Sequence, residues 1–363
     1  FFLARLLWGN RLALLASYLM AVGFWPVNFS RIGFRAVMLP FILVWTFYFL
    51  WLGILKKKIW LVFLAGLFYG AGFHTYISWR LSTLLLAGLF IILLTKKTFT
   101  KQFLIKSAVV FLAGLIITAS SLAWYYFNNQ SDFMGRAAQV SIFSSDSPVK
   151  SLAWSVAKTL GMFNIAGDFN WRHNLAGRPE LFWPVGIGFL IGLILIFKNP
   201  MDNPYKLKAI SYSLFLWWLI MLLPGFLAPE GAPHALRALG AMPAVFILSA
   251  LGLNFVYQKT QDYFNRALLN PKYDRWFIQI RRIQKELAVL AVALLGMIGV
   301  WEARTYFVSW AGNGNTQAAF DRRQTDIARY LKKASDDCKP KSNQNCIEKE
   351  RWYKNNCPHR QNK

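Results

Sequence analysis

The sequence predicts an all-α, polytopic membrane protein, on three observations. Of its 363 residues, 56% are apolar and 17% aromatic. Only 16% are charged, where a soluble domain carries about a quarter. The charges fall between long apolar runs rather than along them. Net charge is +25, but Lys and Arg spread in this way do not form the stripe or patch of a nucleic-acid-binding domain. The apolar content likewise excludes disordered and collagen-like chains.

A helix needs about 20 mostly apolar residues to cross the hydrocarbon core. Nine runs approach that length: Leu12–Val27, Ala36–Leu55, Ile59–Trp79, Leu81–Thr95, Ser107–Phe127, Leu181–Phe197, Ala209–Ala228, Ala238–Tyr257 and Leu287–Trp301. Phe1–Leu7 reads as the tail of one more. Ala36–Leu55 and Ala238–Tyr257 carry no charge at all, whereas the first, fourth and last runs are short for a span. The third and fourth nearly touch at Arg80, which demands a tight turn or a re-entrant piece.

Loop charge orients the set, because cytoplasmic loops are enriched in Lys and Arg. The loops of Lys56–Lys58, Lys96–Lys106, Lys198–Lys208 and Lys259–Lys285, with Arg5 and Arg11, hold 19 Lys and Arg in about 65 residues. The alternate loops hold 9 in about 71. The first class is therefore predicted to be cytoplasmic, and residues after Trp301 to be outside. The longest outer loop covers 128–180, far more than a connector needs. Gly, Asn and Pro punctuate its second half. The expected organisation is a membrane domain over 1–302 and a small extracytoplasmic segment over 303–363. The chain starts at Phe1 without a basic leader or cleavage site, so we expect it to begin within a longer protein. Cys338, Cys346 and Cys357 do not have zinc-ribbon spacing; outside the membrane, one disulfide and a spare thiol is the default, with pairing open.

Cations at the predicted outer face need a reason, since topology depletes them there. Arg31 and Arg35 follow the first run. His74, Tyr76 and Arg80 end the third. Arg172, His173 and Arg178 lie in the long loop, and His234 and Arg237 precede the eighth run. A phosphate at the membrane surface is a natural partner, because Arg offers paired planar donors and His a switchable one. The competing reading is interfacial snorkelling for Arg31, Arg35 and Arg80, and an ordinary interfacial role for His74. Asp168 reads first as a turn residue and only second as a catalytic acid. Glu230 is expected to pair with Arg237 or His234. No nucleophile triad, Walker loop, dinucleotide fingerprint or zinc-helix motif is present; no metal ligand and no firm cofactor follow from the sequence, and dependence on a divalent metal stays open.

Four stretches carry a resemblance: 25–36 (Trp-Pro-Val-Asn-Phe-Ser-Arg-Ile-Gly-Phe-Arg-Ala), 72–80 (Gly-Phe-His-Thr-Tyr-Ile-Ser-Trp-Arg), 167–180 (Gly-Asp-Phe-Asn-Trp-Arg-His-Asn-Leu-Ala-Gly-Arg-Pro-Glu) and 234–244 (His-Ala-Leu-Arg-Ala-Leu-Gly-Ala-Met-Pro-Ala). In this order they resemble membrane glycosyltransferases of the dolichyl-phosphate-mannose protein mannosyltransferase type (glycosyltransferase family 39). These belong to the GT-C class, with the aminoarabinose transferases that modify lipid A. The resemblance covers most of Phe1–Tyr257 and then 306–330. It implies a GT-C-like bundle in a bacterial inner membrane and a polyprenyl-phosphate sugar as donor. It also implies inverting transfer on the extracytoplasmic side to a protein, lipid or glycan, with no nucleic acid involved. Arg172, His173, Arg178, His234 and Arg237 would hold the donor phosphate, and His74, Tyr76 and Arg80 would line the cavity. The family keeps its catalytic acid in the first outer loop. Here that residue is expected upstream of Phe1, so the chain by itself is expected to be inactive, with Asp168 the best substitute present. The rival readings are a flippase for lipid-linked oligosaccharides, which should show an internal repeat and charges within spans, and an O-antigen ligase or polymerase.

Overall fold

A computed structural model describes residues 1–96, 99–132, 147–198 and 208–338. Cys346 and Cys357 lie outside the described residues. The chain separates into two compact units, Phe1–Ser309 and Trp310–Lys363. Among the described residues there is no strand. The helices of the first unit are α1 (Phe2–Trp8), α2 (Asn10–Val22), α3 (Phe24–Ile32), α4 (Met38–Leu55), α5 (Ile59–Gly72), α6 (Ser82–Thr95), α7 (Lys101–Asn128), α8 (Pro148–Gly161), α9 (Trp183–Lys198), α10 (Lys208–Ile220), α11 (Leu223–Phe226), α12 (Met242–Leu268) and α13 (Phe277–Arg304). The second unit holds α14 (Gly314–Ala319) and α15 (Arg322–Cys338), where the Trp310 and Phe320 rings meet edge to face at 5.9 Å.

Each predicted apolar run falls on helix, with instructive differences at the ends. Among the described residues, six helical stretches are long and apolar enough to cross a membrane, seven if the bent pair α2 and α3 counts as one. Helices α5 and α9 are apolar but shorter. This is a multi-pass membrane protein. The first run is broken at Gly23, whose extended ψ of 140° turns α3 by 58° from α2. The third run stops at Gly72; Trp79 belongs instead to a 3-10 turn, Ile77–Leu81, that leads into α6. Most of the basic stretch 259–285, read as loop, is helix: α12 runs on past Tyr257 and α13 starts before Leu287, leaving a turn near Pro271–Trp276. The long loop also contains a helix, α8. It buries Ser155 and Thr159, and Ser155 Oγ donates to the Gly225 carbonyl at 2.8 Å, while Val149 and Trp154 stay exposed.

Helix α12 is the axis of the bundle. Every residue from Met242 to Gly252 is buried, the all-round burial of a helix with neighbours on every side. At the rim, α13 buries only Ile298 and Glu302. Its Val289, Leu290, Val292 and Val300 are exposed, and in a bilayer such a surface faces lipid at no cost. Close packing uses glycine. Gly188 and Gly192 of α9 lie against Leu248, Ser249 and Gly252 of α12, and Gly66 and Gly70 of α5 lie against α7. These Gly-x-x-x-Gly spacings let backbones approach, which is the main attractive device between helices in lipid.

A Cβ at Gly252 would strike the carbonyl of Gly188, whereas one at Gly296 meets nothing within 4 Å. We therefore expect Gly252→Ala to destabilise the protein by about 1–3 kcal/mol through overpacking. Gly296→Ala should be neutral or stabilise by up to about 1 kcal/mol through helix propensity. Thermal unfolding in detergent checks both; equal melting points would show that α9 and α12 can separate freely.

Contacts between helix ends sort into two groups. In one, the Arg11 guanidinium lies over the Tyr257 ring at 4.6 Å and the Lys96 ammonium over Tyr212 at 5.2 Å. The Gln284 side chain there donates to Gln261 and Asn265. In the other, α3, α13, the loop ahead of α9 and the segment ahead of α12 meet at the site below; His74 Nε2 lies 3.0 Å from the Thr118 carbonyl of α7.

Candidate functional site

The segment between α8 and α9 is a tightly closed loop. Glu180 and Leu181 donate their N–H groups to the carbonyls of Met162 and Phe163, which ties its two stems together. Gly167 and Gly177 close the inner part, with Gly167 N–H to Gly177 O and Gly177 N–H to Asp168 O. Gly177 has φ 77°, the left-handed region that disfavours any Cβ. Within this frame the Asp168 carboxylate accepts the Asn170 N–H at 2.8 Å, and Asn170 Oδ1 accepts the Arg172 N–H at 2.9 Å. These consecutive Asx turns bring His173 round beneath Asp168.

The cluster is Asp168, His173 and His234. Asp168 Oδ2 lies 2.8 Å from His173 Nδ1 and accepts the Ala235 N–H, also at 2.8 Å. His234 Nδ1 lies 3.8 Å from the same oxygen, beyond hydrogen-bond reach, and has no hydrogen-bond partner among the described residues. The two imidazole rings are 4.9 Å apart, and Phe29 and Phe34 pack on His173. Asp168 and His173 are buried; the His234 side chain keeps 19% of its surface exposed. Burial pushes the His234 imidazole down to about 4, with Arg237 and His173 adding to it, against the pull of the Asp168 carboxylate.

Helix α3, helix α13 and the loop's own Glu180 and Arg178 hold this cluster. Asn28 of α3 donates through Nδ2 to the carbonyls of Arg172 and His173, at 3.0 and 2.9 Å. Glu180 Oε1 accepts the Asp168 N–H at 3.0 Å. Glu180 Oε2 has no partner among the described residues, and burial pushes this carboxyl well above the usual carboxylate range. The break at Gly23 frees the Phe24 N–H, which donates to Glu302 Oε2 of α13 at 3.0 Å. The other oxygen of Glu302 takes the Arg178 guanidinium, which also lies over the Phe24 ring.

The residues anticipated from sequence therefore divide. Asp168, His173 and His234 come together, from positions 66 residues apart at the extremes (234 − 168). Arg178 is already matched by Glu302. Arg237 donates to the Ala228 and Glu230 carbonyls, so its contact with Glu230 is through the backbone rather than the carboxylate. The Arg172 side chain is exposed. His74 and Arg80 make their contacts with α7, at Thr118 and Tyr126, and Tyr76 packs against the core. Sequence reasoning passed over Asn28, Glu180 and Glu302 as parts of the site. Glu302 had one signal: it is the only acid between Glu286 and Asp321, at the end of an otherwise apolar run. The chain has no significant match to a family model, a curated protein or a solved structure.

Proposed function

We propose that this protein is a membrane glycosyltransferase that takes its sugar from a polyprenyl-phosphate donor on the extracytoplasmic face. The observation that carries the reading is the Asp168–His173–His234 cluster, built where α3, α13, the loop ahead of α9 and the segment ahead of α12 meet and flanked by Arg172 and Arg237. Nine membrane crossings suit the chain: six long helical stretches, the bent pair α2 and α3, and the shorter α5 and α9. Both groups of end contacts join only ends that nine alternating crossings would place on one side. The basic end group, with Arg11, Lys96 and the α12–α13 turn, would then be cytoplasmic, and the cluster would face outward.

In this reading the leaving group is a lipid phosphate, so donors placed at the cluster stabilise charge that grows as the sugar departs. Asp168 Oδ2, 2.8 Å from Nδ1, holds the His173 ring in place at the cluster. Arg172 supplies the exposed cation. A transporter would instead carry charges along its spans or an internal repeat, and the charges here collect at helix ends.

Polyprenyl phosphate and the matching polyprenyl alcohol distinguish phosphate recognition from mere tail binding. We expect the phosphate to bind more tightly, followed by tryptophan fluorescence of the purified protein in detergent. Arg172→Ala should weaken it by about 1.5–3 kcal/mol, or one to two decades. The Ala variant keeps the Arg172 carbonyl that Asn28 holds, and thermal unfolding measured alongside separates lost binding from a lost fold. Equal affinity for phosphate and alcohol would sink the reading. Transfer itself is followed as sugar release in the full-length protein.

A further inference from the structure

We propose that Asp168, His173 and His234 form a binding site for one divalent transition-metal ion of the zinc type. One ligand atom from each lies within 4.8 Å of the others. Two neutral imidazoles and one carboxylate form a three-ligand set that leaves a fourth tetrahedral position open. Zinc–ligand bonds of about 2.0–2.1 Å place neighbouring ligand atoms about 3.3 Å apart. The observed separations from Asp168 Oδ2, 2.8 Å to His173 Nδ1 and 3.8 Å to His234 Nδ1, bracket that value. All three ligand atoms lie within 4.8 Å of one another, so a rotation of the His234 ring towards His173 closes the set around an ion. The second observation is the His234 ring itself, whose Nδ1 is shut off from solvent, faces the carboxylate and bonds to nothing among the described residues. A buried polar atom without a partner costs stability unless something is bound to it, and a cation at this point uses that lone pair.

The surroundings suit a metal. The Asn170 and Ala235 N–H groups orient the carboxylate, and Asn28 fixes the backbone of His173, the outer-shell support that ligating side chains usually have. When the ion binds, the proton on His173 Nδ1 moves to Nε2, so the ring stays neutral and the charge balances. The fourth position would take a phosphate oxygen, which places a cation where the leaving group needs one. That role rests on the transferase reading; the site itself does not.

The test uses the purified chain in detergent, with Cys338, Cys346 and Cys357 all changed to Ser so that thiols cannot compete. Zinc is titrated by calorimetry and counted by elemental analysis, and cobalt serves as a spectroscopic substitute. One equivalent should bind, with a tetrahedral cobalt spectrum, and His234→Ala should weaken zinc at least a hundredfold at unchanged melting point. His234 makes no hydrogen bond through Nδ1, so this variant should fold; Asp168→Asn gives a second removal of a ligand. No stoichiometric zinc, or zinc retained in both variants, overturns the metal site. Stoichiometric zinc in a protein that binds polyprenyl phosphate no better than the alcohol overturns the transferase reading alone.

Discussion

Asp168→Ala is expected to cost about 3–5 kcal/mol of stability, from two buried donors and one part-buried donor left unsatisfied at about 1–3 kcal/mol each with partial relaxation. The donors are the N–H groups of Asn170 and Ala235 and the His173 ring. They come from both loops of the cluster, so the carboxylate is the joint between the long loop and the segment ahead of α12. A carboxylate so thoroughly engaged orders the loop and positions His173. We expect the variant to lose polyprenyl-phosphate binding together with stability. Asp168→Asn separates the two effects. The amide keeps an acceptor for one N–H but sets its own NH2 against another donor, so melting should fall less, by about 1–3 kcal/mol. Transfer in the full-length protein should still fall by about two to four decades if His173 acts on substrate. Thermal unfolding and sugar release, measured side by side, decide it. Full transfer by a stably folded Asp168→Asn protein would remove the cluster from the reaction.

The fold was largely legible because hydropathy is a direct readout of what the bilayer demands. Its limits are equally physical. Hydropathy marks the length that crosses hydrocarbon, not the length that is helical, so the charged turns at Lys101–Lys106, after Tyr257 and before Leu287 were missed as helix. Lys and Arg at these ends reach water without unwinding the backbone. The break at Gly23 left no mark in an unbroken apolar run. The cluster was partly legible, because Asp168, Arg172 and His173 sit in one short Gly- and Asn-rich stretch, but nothing local pairs it with His234. Glu180 carried no such mark, and the isolation of Glu302 in its apolar run did not say what it joins, since both roles depend on partners reached only through the fold.

That is clearest at Glu302, where the second large effect is expected. Glu302→Ala should destabilise the protein by about 3–5 kcal/mol, because removing one partner of a buried ion pair strands the other. Arg178 is the partner, 124 residues away, with its side chain 14% exposed. The change also strips the acceptor from the Phe24 N–H that the bend at Gly23 exposes. Glu302 thus joins three things: the broken first span, the site loop and the last helix of the membrane unit. Replacing both charges, Arg178→Leu with Glu302→Leu, should recover much of the loss, since apolar pairs often match buried ion pairs in stability. Recovery should stop about 1–3 kcal/mol short, because the Phe24 N–H remains unpaired. A double-mutant cycle from thermal unfolding in detergent isolates the pair. Singles within about 0.5 kcal/mol of the parent would mean that this ion pair is no more than a surface pair in energy. A double variant as damaged as the sum of its singles would place the cost in the freed N–H and lost packing instead of the stranded charge.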